Sequence, residues 1–272
     1  MLFKRVFTVA VLLPLFLAAL FLLPNLYWGI LLTVVIVAAG WEWGRLAGYG
    51  LRGRVLFCLV LFACTTSILF WEHGESRPAL LHTAAGHAMY ALSAAFWMGI
   101  APAWLHYRWE VRAPFLLGLI GCIVLLPCWH AMVWLQMSPA RLLLAMGVVW
   151  IADTAAYFVG RRFGHRKLAP LVSPGKTWAG VWGAAAAVAV YWVLVWAIAP
   201  AGSVRLVPGM ILALLMTVLS IVGDLFESWM KRVAGVKDSG GLLPGHGGLL
   251  DRVDGLTATL PLAAIYFAYL HA

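Results

Sequence analysis

Half of the ten acidic residues in this 272-residue chain fall in one short stretch, between Asp224 and Asp254. The same stretch holds Lys231, Arg232, Lys237, Arg252 and His246, and reads GDLFESWMKRVAGVKDSGGLLPGHGGLLDRVDG from Gly223 to Gly255. Asp224, Ser228 and Lys231 are four and then three residues apart, which puts them on one face of a helix. Asp251 and Asp254, three apart, share a face in the same way at the start of the last apolar run. Two helices can therefore present carboxylates to one cleft. Oxygen ligands of this kind suit Mg²⁺, which keeps several waters and bridges to substrate phosphates. Between them, the segment from Ser239 to Gly248 is rich enough in glycine to bring backbone N–H groups close to an anion. Lysines and arginines on either side would neutralise phosphate charge. Spacing alone leaves three readings open: a metal-dependent phosphate site, a cation pathway through intramembrane carboxylates, and a solvated, ion-paired loop that fixes topology.

A second polar cluster lies upstream. Asp153 sits inside an apolar run, an expensive place for a carboxylate, where it can pair with a base, face the cleft or bind an ion. The loop after it carries Arg161, Arg162, Arg166 and Lys167, followed by Ser173-Pro174-Gly175-Lys176-Thr177. The Gly-Lys-Thr looks like the tail of a P-loop. Pro170 stands where that motif needs its first glycine, and no strand is expected before it, so a Walker A site is rejected.

The elements that must position these residues follow from composition. The chain is 64% hydrophobic and 11% charged, against roughly 25% charged in a soluble domain, so lipid must cover much of its surface. The predicted fold is an all-α, polytopic transmembrane bundle. Its nine candidate spans lie near 6–23, 28–43, 55–70, 84–105, 115–135, 142–158, 178–199, 207–222 and 256–270. The first, although it follows Lys4 and Arg5, lacks a small-x-small cleavage site and is read as a retained span rather than a signal peptide. No linker, low-complexity tract or short repeat divides the chain. It is read as N-terminal helices over 1–140 and a C-terminal catalytic membrane region over 141–272.

With the N-terminus inside, sixteen of the nineteen Lys and Arg fall at inner ends and loops, and only Arg77, Arg141 and Arg205 lie outside. This asymmetry sets the orientation. It also accounts for the net charge of +9 without nucleic acid as a partner. The fifteen Trp are read as an interfacial belt, and Glu42, in Trp41-Glu42-Trp43, as an interfacial anchor in preference to a residue that serves the site. Cys58, Cys64, Cys122 and Cys128 lie in apolar stretches and are read as core-filling residues, with neither disulfides nor zinc. His82, His87, His106 and His130 show no metal spacing and receive no role.

The polar residues as a set resemble the signature of the phosphatidate cytidylyltransferase (CDP-diacylglycerol synthase) family. The resemblance rests on Ser228-Trp229-Met230-Lys231-Arg232, Lys237-Asp238-Ser239-Gly240 and Pro244 through Asp254. Upstream it includes Asp153-Thr154, Ala156-Tyr157, Phe163-Gly164, Lys167 through Pro170, and Ser173 through Trp178. It covers roughly residues 151–256, and the N-terminal half is similar only in being a set of hydrophobic spans. Many relatives carry Glu where this chain has Ala179, which puts in doubt any catalytic acid at that position.

The resemblance implies a multi-span enzyme that makes CDP-diacylglycerol and pyrophosphate from CTP and phosphatidate. It implies Mg²⁺, with K⁺ in a paired-metal site. By motif position it points to Asp224 and Asp251 as metal ligands and to Ser228, Lys231 and Arg232 along the phosphate site. In that scheme Asp224, Lys231, Arg232 and Asp251 do the catalytic work, and Lys176, Lys231, Arg232 and Lys237 counter phosphate charge. His246 contacts a phosphate or supports the glycine-rich loop. Asp254 is a further ligand or pairs with Arg252, itself placed with the substrate-binding residues. Asp238 contacts the nucleotide or pairs with Lys237. The resemblance also suggests a homodimer and a bacterial inner membrane, with the site facing the cytoplasm, where CTP and the phosphatidate headgroup meet. The rival readings are a CTP-dependent lipid kinase, which would transfer the γ-phosphoryl group, and a transporter, which should show paired symmetric halves. A CDP-alcohol phosphotransferase is disfavoured because Asp254-Gly255-Leu256-Thr257-Ala258-Thr259 lacks the arginine of that core.

Overall fold

Apolar runs of about twenty residues in lipid must satisfy their own backbone, and helices do so within one segment. In the computed structural model, which describes residues 2–74, 79–200, 204–241 and 247–270, each of the nine expected spans coincides with one helix. These are α1 (Leu2–Leu22), α2 (Asn25–Leu46), α3 (Leu51–Glu72), α4 (Ala84–Tyr107), α5 (Pro114–Gln136), α6 (Pro139–Phe163), α7 (Trp178–Ile198), α8 (Leu206–Val233) and α9 (Leu250–Ile265). Helix α9 runs on into a π turn, Tyr266–Leu270, and α4 contains another, Phe96–Ile100. Helices α2 to α8 are each long and apolar enough to cross a membrane.

Local sequence explains most boundaries. Prolines open α5 and α6, where a missing N–H costs nothing. Thr83 and Thr177 cap α4 and α7, their hydroxyls accepting the Gly86 and Gly180 amides. Helix α4 stops at Arg108, whose φ of 54° lies in the left-handed region. One feature departs from the expected all-α chain. Strands β1 (Lys167–Ala169) and β2 (Ser173–Thr177) pair antiparallel, Lys167 with Thr177 and Ala169 with Ser173. The Gly-Lys-Thr tripeptide thus ends a strand and leads straight into a helix, with no phosphate-wrapping loop between them.

Helix α8 has 28 residues, so at 1.5 Å per residue it is about 42 Å long and outruns a hydrocarbon core of about 30 Å. Its last turns carry Asp224, Glu227 and Lys231. Phe226 anchors that end. It is 1% exposed and meets Trp43 of α2 in a stack with ring centres 6.5 Å apart. Edge-on contacts follow with Phe96, Trp97 and Trp104 of α4, at 5.2, 5.7 and 5.6 Å. Residues on both sides of position 140 thus share one core.

Seven of the fifteen tryptophans depart from the sequence reading. Trp28, Trp43, Trp97, Trp104, Trp129, Trp192 and Trp229 are buried rather than belted at the interface. A large ring fills space between helices, and its N–H can then bond a backbone carbonyl, as Trp43 does with Leu117 at 2.9 Å and Trp229 with Trp109 at 3.0 Å. His130, given no role from sequence, sits between the Tyr90 hydroxyl at 2.7 Å and Glu72 at 3.2 Å. It ties α3, α4 and α5 together.

Candidate active site

Helices α6, α7, α8 and α9 and the β ribbon enclose a cavity of about 790 Å³, within the range of small-molecule sites. Six of the ten acidic residues line it: Asp153, Asp224, Glu227, Asp238, Asp251 and Asp254. Arg161, Lys167, Lys176, Lys231 and Arg252 line it as well. A wall this dense in both signs is costly beside lipid. It suits a ligand that is itself highly charged, and the alternating signs can hold both an anion and a cation.

The two sequence clusters meet here. Lys176, at the end of β2, places Nζ 2.6 Å from Asp224 Oδ2. Asp224 Oδ1 accepts the Ser228 hydroxyl at 3.3 Å, one turn along α8. Lys231 does not join that pair. Its ammonium donates to Glu227 Oε2 at 2.9 Å and to Asp251 Oδ1 at 2.5 Å, bridging α8 and α9. Asp251 Oδ2 accepts two backbone amides, Ser239 at 3.2 Å and Gly248 at 2.8 Å. Asp254, one turn further into α9, accepts the Gly255 amide at 2.8 Å and faces the cavity.

Other residues singled out from sequence are placed less centrally. Arg252 and Asp238 are exposed and line the cavity. Lys237 is exposed and lies off its wall. Arg232 is also off the wall, and its Nε donates to the Val172 carbonyl at 3.4 Å. Ser228 reaches the cavity only through Asp224. His246 lies outside the described residues.

Two residues were missed or misread. Glu227 received no role, although it stands three residues after Asp224 and four before Lys231, the spacing that marks a shared helix face. Its side chain is 5% exposed, and Lys231 is its ion-pair partner. Of the two readings of Glu42, the interfacial anchor was preferred over a residue serving the site. Glu42 is instead 2% exposed, and its Oε2 accepts the Ser239 hydroxyl at 2.9 Å and the Leu250 amide at 2.8 Å. No local signal could have shown this, because its partners lie about two hundred positions away.

The donor set fits a hard, oxygen-seeking cation of the Mg²⁺ kind. Asp153, Asp224, Asp251 and Asp254 line the cavity from three different helices. Among the described residues no three His, Cys, Asp or Glu side chains form a closed metal cage. Mg²⁺ does not require one, since it takes one or two carboxylates and completes its shell with water and phosphate.

The chain matches the family described as "Cytidylyltransferase family" over residues 3–270. It is 39% identical to a phosphatidate cytidylyltransferase of Pseudomonas aeruginosa, over 97% of this chain and 96% of that protein. It is 33% identical to one of Haemophilus influenzae, over 99% of each. A shorter match, 54% identical over 121 residues, covers 44% of this chain and 44% of a phosphatidate cytidylyltransferase of Brucella suis.

Proposed function

The chain belongs to the Cytidylyltransferase family, and from that premise we infer that it transfers the cytidylyl group of CTP to phosphatidate, giving CDP-diacylglycerol and pyrophosphate. The observation that supports this most directly is the charge-lined cavity. It joins the residues of both signature clusters, 153–178 and 224–254, at one end of a membrane bundle. A nucleoside triphosphate and a phosphatidate headgroup both present dense negative charge and a need for cations, and the acyl chains can lie along the lipid-facing helices.

In this reaction a phosphatidate oxygen attacks the α-phosphorus of CTP, a new P–O bond forms, and the bond to pyrophosphate breaks. The nucleophile is already anionic, so the protein's main tasks are alignment and charge neutralisation. Lys176, Lys231 and Arg252 stand on the cavity wall to take phosphate oxygens, and Arg161 and Lys167 line it as well. The Lys176–Asp224 and Lys231–Asp251 pairs hold these cations in place before substrate arrives. Asp238, on the cavity wall, is the proposed contact to the nucleotide. Mg²⁺ is the proposed cofactor, with K⁺ as a second cation. Asp224, Asp251 and Asp254 are the proposed ligands, and the divalent ion would neutralise charge on the phosphates and the leaving group.

The proposed setting is a bacterial inner membrane with the cavity facing the cytoplasm. Its support is the positive-inside pattern, since Arg161, Lys167, Lys176 and Lys231 all stand at the cavity end. A homodimer is the proposed assembly.

The deciding experiment incubates purified protein with phosphatidate, Mg²⁺ and CTP labelled at either the α or the γ position. Label from α entering lipid, with γ label released as pyrophosphate, is the expected result. Transfer of γ label to lipid would replace this reading with a CTP-dependent lipid kinase. No transfer by folded protein would remove the enzyme reading altogether.

A further inference from the structure

The described ends of the glycine-rich segment before α9, at Ser239 and Gly248–Leu250, both meet anions, and those anions are the protein's own. Glu42 belongs to α2, in the half of the chain that contributes no residue to the cavity wall. Its Oε2 takes the Ser239 hydroxyl and the Leu250 amide, one from each end of the segment. The Ser239 and Gly248 amides then turn to Asp251 Oδ2. Ser239 is thus shared, its side chain on Glu42 and its backbone on Asp251. Two glycines make the approach possible. A Cβ on Gly240 would collide with Glu42 Oε1, and one on Gly248 with the Ser239 hydroxyl and Glu42 Oε2.

A buried carboxylate is a poor way to pack helices. Glu42 Oε1 is buried without a hydrogen-bond partner, which is a cost, and an apolar side chain of similar size would fill the space at least as well. What Glu42 supplies is a fixed point for two separated pieces of chain. We propose that Glu42 is a positioning residue for cytidylyl transfer, acting through Ser239 and the first amide of α9 to hold Asp251 at the cavity wall against Lys231. This rests on the cytidylyl-transfer reading for its catalytic consequence, but the loop it organises is measurable without substrate.

The test uses the full-length chain in detergent with Glu42→Ala, Glu42→Gln, Gly240→Ala, and the Glu42→Ala/Gly240→Ala pair. Two quantities are read: hydrogen–deuterium exchange without substrate, and kcat with CTP and phosphatidate. Glu42→Ala should speed exchange around Ser239, Gly248 and Leu250 and lower kcat about tenfold or more, the order expected for losing one to two hydrogen bonds to a charged group. Exchange in α6 and α7 should not change. Glu42→Gln, whose amide oxygen can accept both hydrogen bonds, should recover most of the protection and most of kcat. Gly240→Ala should reproduce the Glu42→Ala defect alone and add little to it in the pair.

Unchanged loop exchange in Glu42→Ala overturns the proposal. So does faster exchange spread evenly through α2, α3 and α5, which would make Glu42 a packing residue. A loosened loop with kcat within twofold of wild type also overturns it. A wild-type chain that makes no CDP-lipid overturns the reaction itself, and that failure is visible in the wild-type control before any variant is compared.

Discussion

The ammonium of Lys231 lies 2.5 Å from Oδ1 of Asp251, joining α8 to α9 across the cavity wall. The same nitrogen holds Glu227 at 2.9 Å, so one cation stands between two carboxylates. All three side chains are largely withdrawn from solvent, at 13% exposure for Lys231, 5% for Glu227 and 10% for Asp251. The arrangement holds Lys231 at the cavity wall, and it makes the two helices depend on each other.

Replacing Lys231 with Met should be severe for stability as well as activity. It leaves two nearly buried carboxylates without their cation, a loss of about 3–5 kcal/mol for a broken buried pair. Denaturant or thermal unfolding in detergent should show it. A Lys231→Met/Glu227→Gln variant should regain part of the stability and none of the turnover. Equal stability of Lys231→Met and wild type would mean that the pair carries no structural weight.

Asp224→Asn and Asp251→Asn should each lower turnover about a hundredfold or more, the scale of losing a group that organises transition-state charge. Chelation of divalent ions should abolish turnover of the wild type, and added Mg²⁺ should restore it. If both variants turned over near the wild-type rate while folded, the proposed ligand assignment would fail.

Phe226→Ala should destabilise the bundle by about 3–5 kcal/mol, because one ring touches Trp43, Phe96, Trp97 and Trp104 on two other helices. The melting temperature should drop clearly, and activity should fall with the folded fraction rather than through substrate affinity. A normal melting temperature would show that the aromatic cluster repacks without cost.

A reporter fused after Ala272 should be active when it requires the outer compartment and inactive when it requires the cytoplasm. A reporter in the loop between α6 and α7, near Arg166, should behave in the opposite way. Cytoplasmic activity at Ala272 would remove either the inside N-terminus or the odd number of spans.

The residue string by itself determined the helices, because the length of an apolar run and its flanking charges are local quantities that lipid reads directly. All nine expected spans fall on helices for that reason. It also marked the candidate site, since charged residues are too expensive beside lipid to be scattered, and their density between Asp224 and Asp254 stands out. The Asp224–Ser228 contact followed from helical spacing in the same way.

The tertiary structure alone decided which charge meets which. Helical spacing puts Lys231 on the face of Asp224, yet it pairs with Glu227 and Asp251, while Asp224 takes Lys176 from a ribbon that no periodicity announced. Glu42 is the extreme case, reading as an interfacial anchor in its own helix and becoming the fixed point of a loop some two hundred residues later. The physical reason is the same in each instance. A run of side chains specifies a helix and its faces, but a buried charge is satisfied by whatever partner the packing of helices brings within about 3 Å, and that geometry is a property of the whole bundle.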